Sequence, residues 1–251
     1  MEHISKAQVK WIRSLKQKKV RDENHVFVAE GSRCIEELRR YFPLKLLVTP
    51  DNATQSEIEQ MSSQRTPQGM IGVFFRDRLP SAEQSVCSSD DFSAKDSLIL
   101  VLDSIQDPGN LGTIIRTCDW YGVKQIVCSA ETADCFNPKV VQATMGALGR
   151  VKIVYTDLPD YLHQVREKGG HVVGTLLDGE DLYHSQENLH HSTLFIVMGN
   201  EGNGISDAVR QELCAGIRIP SYPREKQAPD VVESLNVSVA TAIILSECRR
   251  N

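Results

Sequence analysis

The sequence predicts an α/β fold in which a mostly parallel sheet is covered by helices on both faces and follows a smaller α/β unit. Three observations carry this. From Leu98 onward, short apolar runs of strand length alternate with helical segments, as in strands joined through crossover helices. Ahead of them, residues 1–78 hold a shorter β-α-β-α-β alternation that can bury one modest core. Between the two, residues 79–97 are rich in Ser and Asp and poor in large apolar side chains, which is linker composition. The expected domains are therefore 1–78 and 98–251, joined by 79–97.

Composition narrows the function classes. A chain of 251 residues, 41% hydrophobic and 24% charged, matches a soluble globular protein with room for two domains. No apolar run approaches the roughly 20 residues a membrane span needs, and the N-terminus lacks the apolar stretch of a secretory signal. Seven cysteines, odd in number and with no C-x-x-C pair, argue against a disulfide framework or a structural zinc site and for a reducing cytosol. The net charge of −5 argues against a general polyanion binder. Distribution matters more than the sum, however. Lys6, Lys10, Arg13, Lys16, Lys18, Lys19 and Arg21 follow one another with no acid between them, a local basic face on an acidic protein. A solvated charged helix would look the same.

Taken in order, residues 5–19 read as a helix with Val9, Ile12 and Leu15 on one side and the cations on the other. A strand over His25–Ala29, a helix over Ser32–Arg40, a strand over Lys45–Thr49 and a polar helix containing Ile58 and Met61 follow. Residues 66–74 run from a Pro/Gly turn into a third strand. In the second domain the strands are Leu98–Leu102, Gln125–Cys128, Val151–Tyr155, His171–Thr175, Leu194–Met198 and Ile217–Pro220. The helices between them are Leu111–Trp120, Pro138–Ala147, Pro159–Lys168 and Ile205–Cys214. A last helix begins after Glu233-Ser234-Leu235-Asn236, where Ser and Asn suit an N-cap. It is apolar almost all round and so is expected to be buried on every side, with Arg249 and Arg250 at its C-terminal end.

Three strand-to-loop junctions carry chemistry. In the first, a strand ends in an Asp-Pro-Gly turn, Asn110 is placed to cap the following helix, and Arg116 emerges about two turns in. In the second, an apolar strand enters Gly199-Asn200-Glu201-Gly202-Asn203-Gly204, where glycines allow close backbone approach to a ligand. Its G-x-x-G-x-G order, after the fifth strand rather than the first, does not match a dinucleotide fingerprint, which disfavours a nucleotide-dependent oxidoreductase. The third is Ile217 to Asn236 with the terminal helix, a polar cap at the mouth of an apolar helix.

Together, in this order and spacing, Asn110 through Arg116, Gly199-Asn200-Glu201-Gly202, and Ile219-Pro220 with Ser234-Leu235-Asn236-Val237-Ser238 resemble the SpoU (TrmH) family of RNA 2′-O-ribose methyltransferases of the SPOUT superfamily. The likeness covers roughly residues 98–248, including the connection 137–151. Residues 1–78, with AEG at 29–31 and TPQG at 66–69, resemble the L30e-like RNA-binding domain that many members carry.

The resemblance implies a C-terminal trefoil knot, which no periodicity predicts, and S-adenosylmethionine (AdoMet) as cofactor. It further implies a cytoplasmic homodimer joined through the catalytic domain and a structured rRNA or tRNA substrate, with rRNA favoured by the two-domain layout. Cofactor contacts would fall at Gly199, Asn200, Gly202, Ile219 and Leu235. Arg116 would hold the RNA phosphate and the developing oxyanion, and Asn110 would orient Arg116 or the ribose. Glu201 would order its loop, and Ser234 with Asn236 would shape the substrate side. The cations from Lys6 to Arg21 would be a foothold on phosphates. The departure from the family is the loop 221–233, longer than usual and carrying Arg224 and Lys226. A binding protein that kept the fold without catalysis is the competing reading, and it has no need of all five polar positions.

Overall fold

A computed structural model of the chain describes residues 3–76, 97–222 and 234–250. The expected linker 79–97, apart from Ser97, and Arg224 and Lys226 of the long loop lie outside the described residues. So does the chain path over 223–233, on which a knot would depend.

Helix α1 (Lys6–Ser14) opens with a capping box: Ser5 Oγ accepts from the Gln8 N–H, and Gln8 Oε1 accepts from the Ser5 N–H. The single helix expected over 5–19 is instead two, because the chain turns at Leu15 and restarts as α2 (Lys18–Asn24). The reason is Arg21. Its guanidinium donates to the carbonyls of Leu15 (2.8 Å) and Lys16 (2.9 Å), taking up acceptors that a continuous helix would have used. Strands β1 (Val26–Glu30), β2 (Leu44–Val48) and β3 (Ile71–Phe75), with helices α3 (Ser32–Leu38) and α4 (Gln55–Met61), complete the first domain. Its sheet is antiparallel in the order β1-β3-β2.

The second domain is a six-stranded parallel sheet, as the alternation predicts. Its strands are β4 (Ser97–Leu102), β5 (Gln125–Cys128), β6 (Lys152–Tyr155), β7 (His171–Asp181), β8 (Thr193–Met198) and β9 (Ala215–Arg218), in the order β6-β5-β4-β8-β7-β9. Helices α5 (Pro108–Trp120), α6 (Pro138–Thr144) and α10 (Val237–Cys248) hold one face, and α7 (Leu158–Glu167) and α9 (Asp207–Arg210) hold the other; α8 (Gln186–Leu189) follows β7. Period-two alternation sorts β4 between them: Leu98, Leu100 and Leu102 enter one cluster, Ile99 and Val101 the other.

Three expectations are corrected here. The helix over 205–214 shrinks to the single turn of α9, and β9 ends at Arg218, two residues before Pro220. The terminal helix buries only one side, through Val237, Ser238, Thr241, Ile244, Leu245 and Glu247. Val239 remains 49% exposed, since no element among the described residues covers it.

The two domains share one core. Phe27 on β1 and Phe136 ahead of α6 stand with ring centroids 4.8 Å apart, and Ile35, Leu38 and Phe42 join the same cluster as Val140, Val141 and Leu148. Polar contacts reinforce the joint. Arg150 bonds both Asp119 of α5 and Glu37 of α3, and buried Arg21 donates to Asp134 at 2.6 Å.

At the start of β7, His171 stacks on His191 with centroids 3.6 Å apart. Burial, and secondarily the neighbouring His191, holds the His171 pKa below its usual value. Above about pH 6.5 the ring is neutral folded or unfolded, so it carries no penalty there. As pH falls below that value the unfolded chain takes the proton more readily, and stability drops until the folded ring also protonates. His171→Gln is therefore expected to flatten the acid side of the stability profile just below about pH 6.5. Urea melts across that range check it, and an unchanged slope would refute it.

Candidate active site

The site is built where β4, β8 and the start of α10 meet. After Leu102 the chain passes buried Asp103 and Ser104, the latter in the left-handed region at φ 59°, before α5 begins. Asp107, not Asn110, is the N-cap: its Oδ1 accepts from the Asn110 N–H at 2.8 Å. Pro108 at N1 lacks an N–H and is preset for helical φ, so the residue before it takes the cap. This corrects the capping role expected of Asn110 and leaves its side chain free for the site.

That side chain joins the three junctions. Asn110 Nδ2 donates to Glu201 Oε1 at 2.6 Å, and Asn110 Oδ1 accepts from Asn236 Nδ2 at 3.0 Å. Asn236 Oδ1 accepts in turn from the Ser238 N–H (3.0 Å) and hydroxyl (2.6 Å), so Asn236 caps α10 as well. The donors all point one way, from Ser238 through Asn236 and Asn110 to the Glu201 carboxylate. A chain of this kind, ending on an ionised acceptor, fixes each side chain more firmly than isolated bonds would.

The glycine-rich loop is held by Asn200. Its Nδ2 donates to the Ser104 carbonyl at 2.7 Å, and its Oδ1 accepts from the N–H groups of Gly202 and Asn203. Backbone bonds in both directions between Asn200 and Gly204 close the loop on itself at 2.9 Å. Gly199 admits no side chain, since a Cβ would lie 2.3 Å from the Gly204 carbonyl carbon and 2.4 Å from the Ile205 nitrogen. Gly199→Ala is expected to open this loop and abolish AdoMet binding measured by calorimetry. Retained binding would detach the loop from the cofactor site.

Other expected residues are placed differently. Arg116 is exposed on α5 and has no hydrogen-bond or ion-pair partner among the described residues. It lies six residues beyond Asn110, roughly 120° around the helix. Both ends of the Asn110 amide are already engaged, so Asn110 does not orient Arg116 within the chain. Ser234 is exposed and Leu235 is 50% exposed beside Asn236, while Ile219 packs against the main core just past β9. The half-open Leu235, the closed glycine loop and Ile219 supply apolar surface and backbone of the kind that suits a nucleoside cofactor.

The basic face divides. Lys6, Lys10 and Arg13 are exposed along one stripe of α1. Lys16 donates to the Ser62 carbonyl, and Lys18 and Lys19 face Asp22 and Glu23. Arg21 is corrected: at 1% exposure and bonded to Leu15, Lys16 and Asp134, it cannot reach RNA. Sequence reasoning missed Asp107 and Ser104 as supports of the site. An Asp-Pro pair opening a helix was the available signal for Asp107.

Against known families, residues 97–246 match the SpoU rRNA Methylase family and residues 6–57 match the MRM3-like substrate binding domain. The 23S rRNA (guanosine(2553)-2′-O)-methyltransferase RlmP of Bacillus subtilis is 29% identical over 99% of this chain and 98% of its own length. The 23S rRNA (guanosine-2′-O-)-methyltransferase RlmB of Pseudomonas syringae pv. tomato is 30% identical over 90% of this chain and 87% of its own. The crystal structure of an AdoMet-bound rRNA methyltransferase from Sinorhizobium meliloti superposes with a TM-score of 0.82 at 31% identity, covering 99% of this chain and 96% of that one.

Proposed function

Since the chain belongs to the SpoU rRNA methylase family, we propose that it uses AdoMet to methylate the ribose 2′-hydroxyl of a nucleotide in large-subunit ribosomal RNA. The observation that carries this reading is the hydrogen-bonded chain Glu201–Asn110–Asn236–Ser238, which draws together three segments up to 126 residues apart. A protein that only bound RNA would have no use for a preorganised polar relay of this sort.

AdoMet supplies a methyl already activated on a sulfonium. The glycine loop 199–204, Ile219 and Leu235 would hold it. The reaction joins that methyl to the 2′-oxygen, breaks its bond to sulfur and releases the hydroxyl proton. The protein must therefore position the hydroxyl and stabilise the charge that develops on it. Arg116 does the second by holding the adjacent phosphate and the developing oxyanion in the fork of its guanidinium. Glu201, Asn110 and Asn236 order the loop and the start of α10, and Ser234 shapes the substrate side.

The working unit is a homodimer in the cytosol. Helices α5 and α10 lie side by side, tied at their N-termini by Asn236 to Asn110 and at their C-termini by Arg249 to the Tyr121 carbonyl. Their outer faces carry Trp120 (84% exposed) and Val239, apolar surface suited to a second copy. With Arg116 on that outer side, each copy would lend its arginine to the other's site. Lys6, Lys10 and Arg13 add phosphate contacts from the first domain.

Transfer of label from tritiated AdoMet to ribosomal RNA of a strain lacking the protein tests the reading. A 2′-O-methylated nucleoside in the large rRNA is the expected product. Label on a base would refute the ribose assignment, and no transfer would refute catalysis.

A further inference from the structure

The first domain holds a depression that methyl transfer leaves unused, a cavity of about 310 Å³ lined by Gln8, Trp11, Asn24, Lys45 and Leu46. Lys45 is its unusual member. Strand β2 is an edge strand, and its ladder with β3 slips between Leu44 and Leu46, which makes Lys45 the extra residue of a bulge. A bulge disrupts the ladder and re-aims a side chain. Here the ammonium is carried to 5.0 Å from the ring centroids of both Trp11 and Phe75. Among the described residues no carboxylate neutralises it.

The aromatic wall is set before any ligand arrives. Trp11 Nε1 donates to Asn24 Oδ1 at 3.1 Å, and Asn24 Nδ2 donates to the Val20 carbonyl at 2.8 Å, which fixes the ring. Gln8 spends its Oε1 on the Ser5 N–H and keeps its NH₂ group for another acceptor. The same helix exposes Lys6, Lys10 and Arg13 at spacings of four and three, on the side away from Gln8 and Trp11, so they do not line this depression.

We propose that this depression takes one unpaired nucleotide of the RNA substrate, its base against Trp11 and Leu46 and its phosphate at Lys45. The inference rests on the RNA-methylating reading and extends it to the chemistry of the foothold. A fixed aromatic wall with a cation that no carboxylate neutralises among the described residues is what a stacked base with a phosphate requires, the ammonium leaving the Trp11 ring for the phosphate as the base arrives; paired bases in a duplex offer no such face.

The chain has two tryptophans, so Trp120→Phe leaves Trp11 as the sole indole emitter. In full-length Trp120→Phe protein, single-stranded RNA is expected to quench Trp11 emission saturably. Lys45→Ala in that background, with an unchanged melting temperature, is expected to weaken the effect about tenfold, and Lys45→Arg to keep it. Duplex RNA leaves the emission unchanged. Guanosine monophosphate, a free nucleotide, quenches only at far higher concentration; quenching by it as strong as by RNA would make this a mononucleotide site and overturn the proposal. An acidic peptide that displaces RNA from Trp11 at equal concentration would overturn it too. Methyl transfer and RNA binding read in parallel on protein that keeps Trp120, with and without Lys45→Ala, separate the two readings. Transfer with unchanged Trp11 emission, or with quenching that Lys45→Ala does not alter, sinks the pocket alone. Absence of both RNA binding and transfer sinks the enzymatic reading and the pocket with it.

Discussion

Arg116→Ala is expected to slow methyl transfer by about 10²–10³-fold, the usual effect of removing a preorganised charge from a developing oxyanion, while AdoMet binding stays intact. Single-turnover transfer with saturating RNA measures the first, and calorimetry the second. Arg116→Lys restores the charge without the planar fork and is expected to recover only part of the rate. The pH–rate profile of the parent carries no ionisation that disappears in Arg116→Ala, because the side chain acts by charge rather than by proton transfer; one that did disappear would make Arg116 a base. The placement of Arg116 on the outer side of α5 sharpens the expectation. Two inactive variants, Arg116→Ala and Asn236→Ala, regain activity when mixed and reassociated if each arginine serves the neighbouring copy. If it serves its own copy, every hybrid site lacks a component and the mixture stays inactive.

The second large effect is on stability. Arg21→Ala is expected to cost about 3–5 kcal/mol, the range for breaking a buried ion pair, out of a total of roughly 5–15. The substitution leaves Asp134 without its 2.6 Å partner and the Leu15 and Lys16 carbonyls without donors. Urea unfolding of Arg21→Ala, Asp134→Ala and the double variant checks it. The double variant is expected to fall well short of the sum of the singles, since removing both partners strands neither charge. Strict additivity would mean that the pair contributes nothing at the joint between the domains.

How far the sequence anticipates this molecule depends on the range of the interaction concerned. The parallel sheet follows from apolar runs such as Leu98–Leu102 and Leu194–Met198, whose strand character is local and strong. The α5 cap is also local, yet the Asp-Pro-Gly segment reads as a turn that leaves Asn110 to cap; Pro108, preset for helical φ at N1, puts the cap on Asp107 instead. Arg21 was counted with its surface neighbours because the charge run continues through it. Its burial rests on two carbonyls of the turn before it and on a carboxylate 113 residues away, neither of which a charge run reveals. The terminal helix was expected to be covered all round because apolarity states that a surface is hidden, not by which chain. The relay through Asn110 joins positions 91 and 126 residues apart, which no periodicity brings together. Its members were identifiable only by their match to the SpoU motifs.

The continuous core between Phe27 and Phe136 has a consequence for how substrates are chosen. Two halves packed on a common interior behave as one solid piece, so the span from the first domain's cations to the relay is a fixed length. The molecule would then work as a ruler, selecting RNA in which an anchoring feature and the target ribose stand at the matching separation. Transplanting residues 3–76 from a relative would change that setting only if the segment from Asp134 to Arg150 travelled with them, because half of the ruler's hinge-free joint is written there.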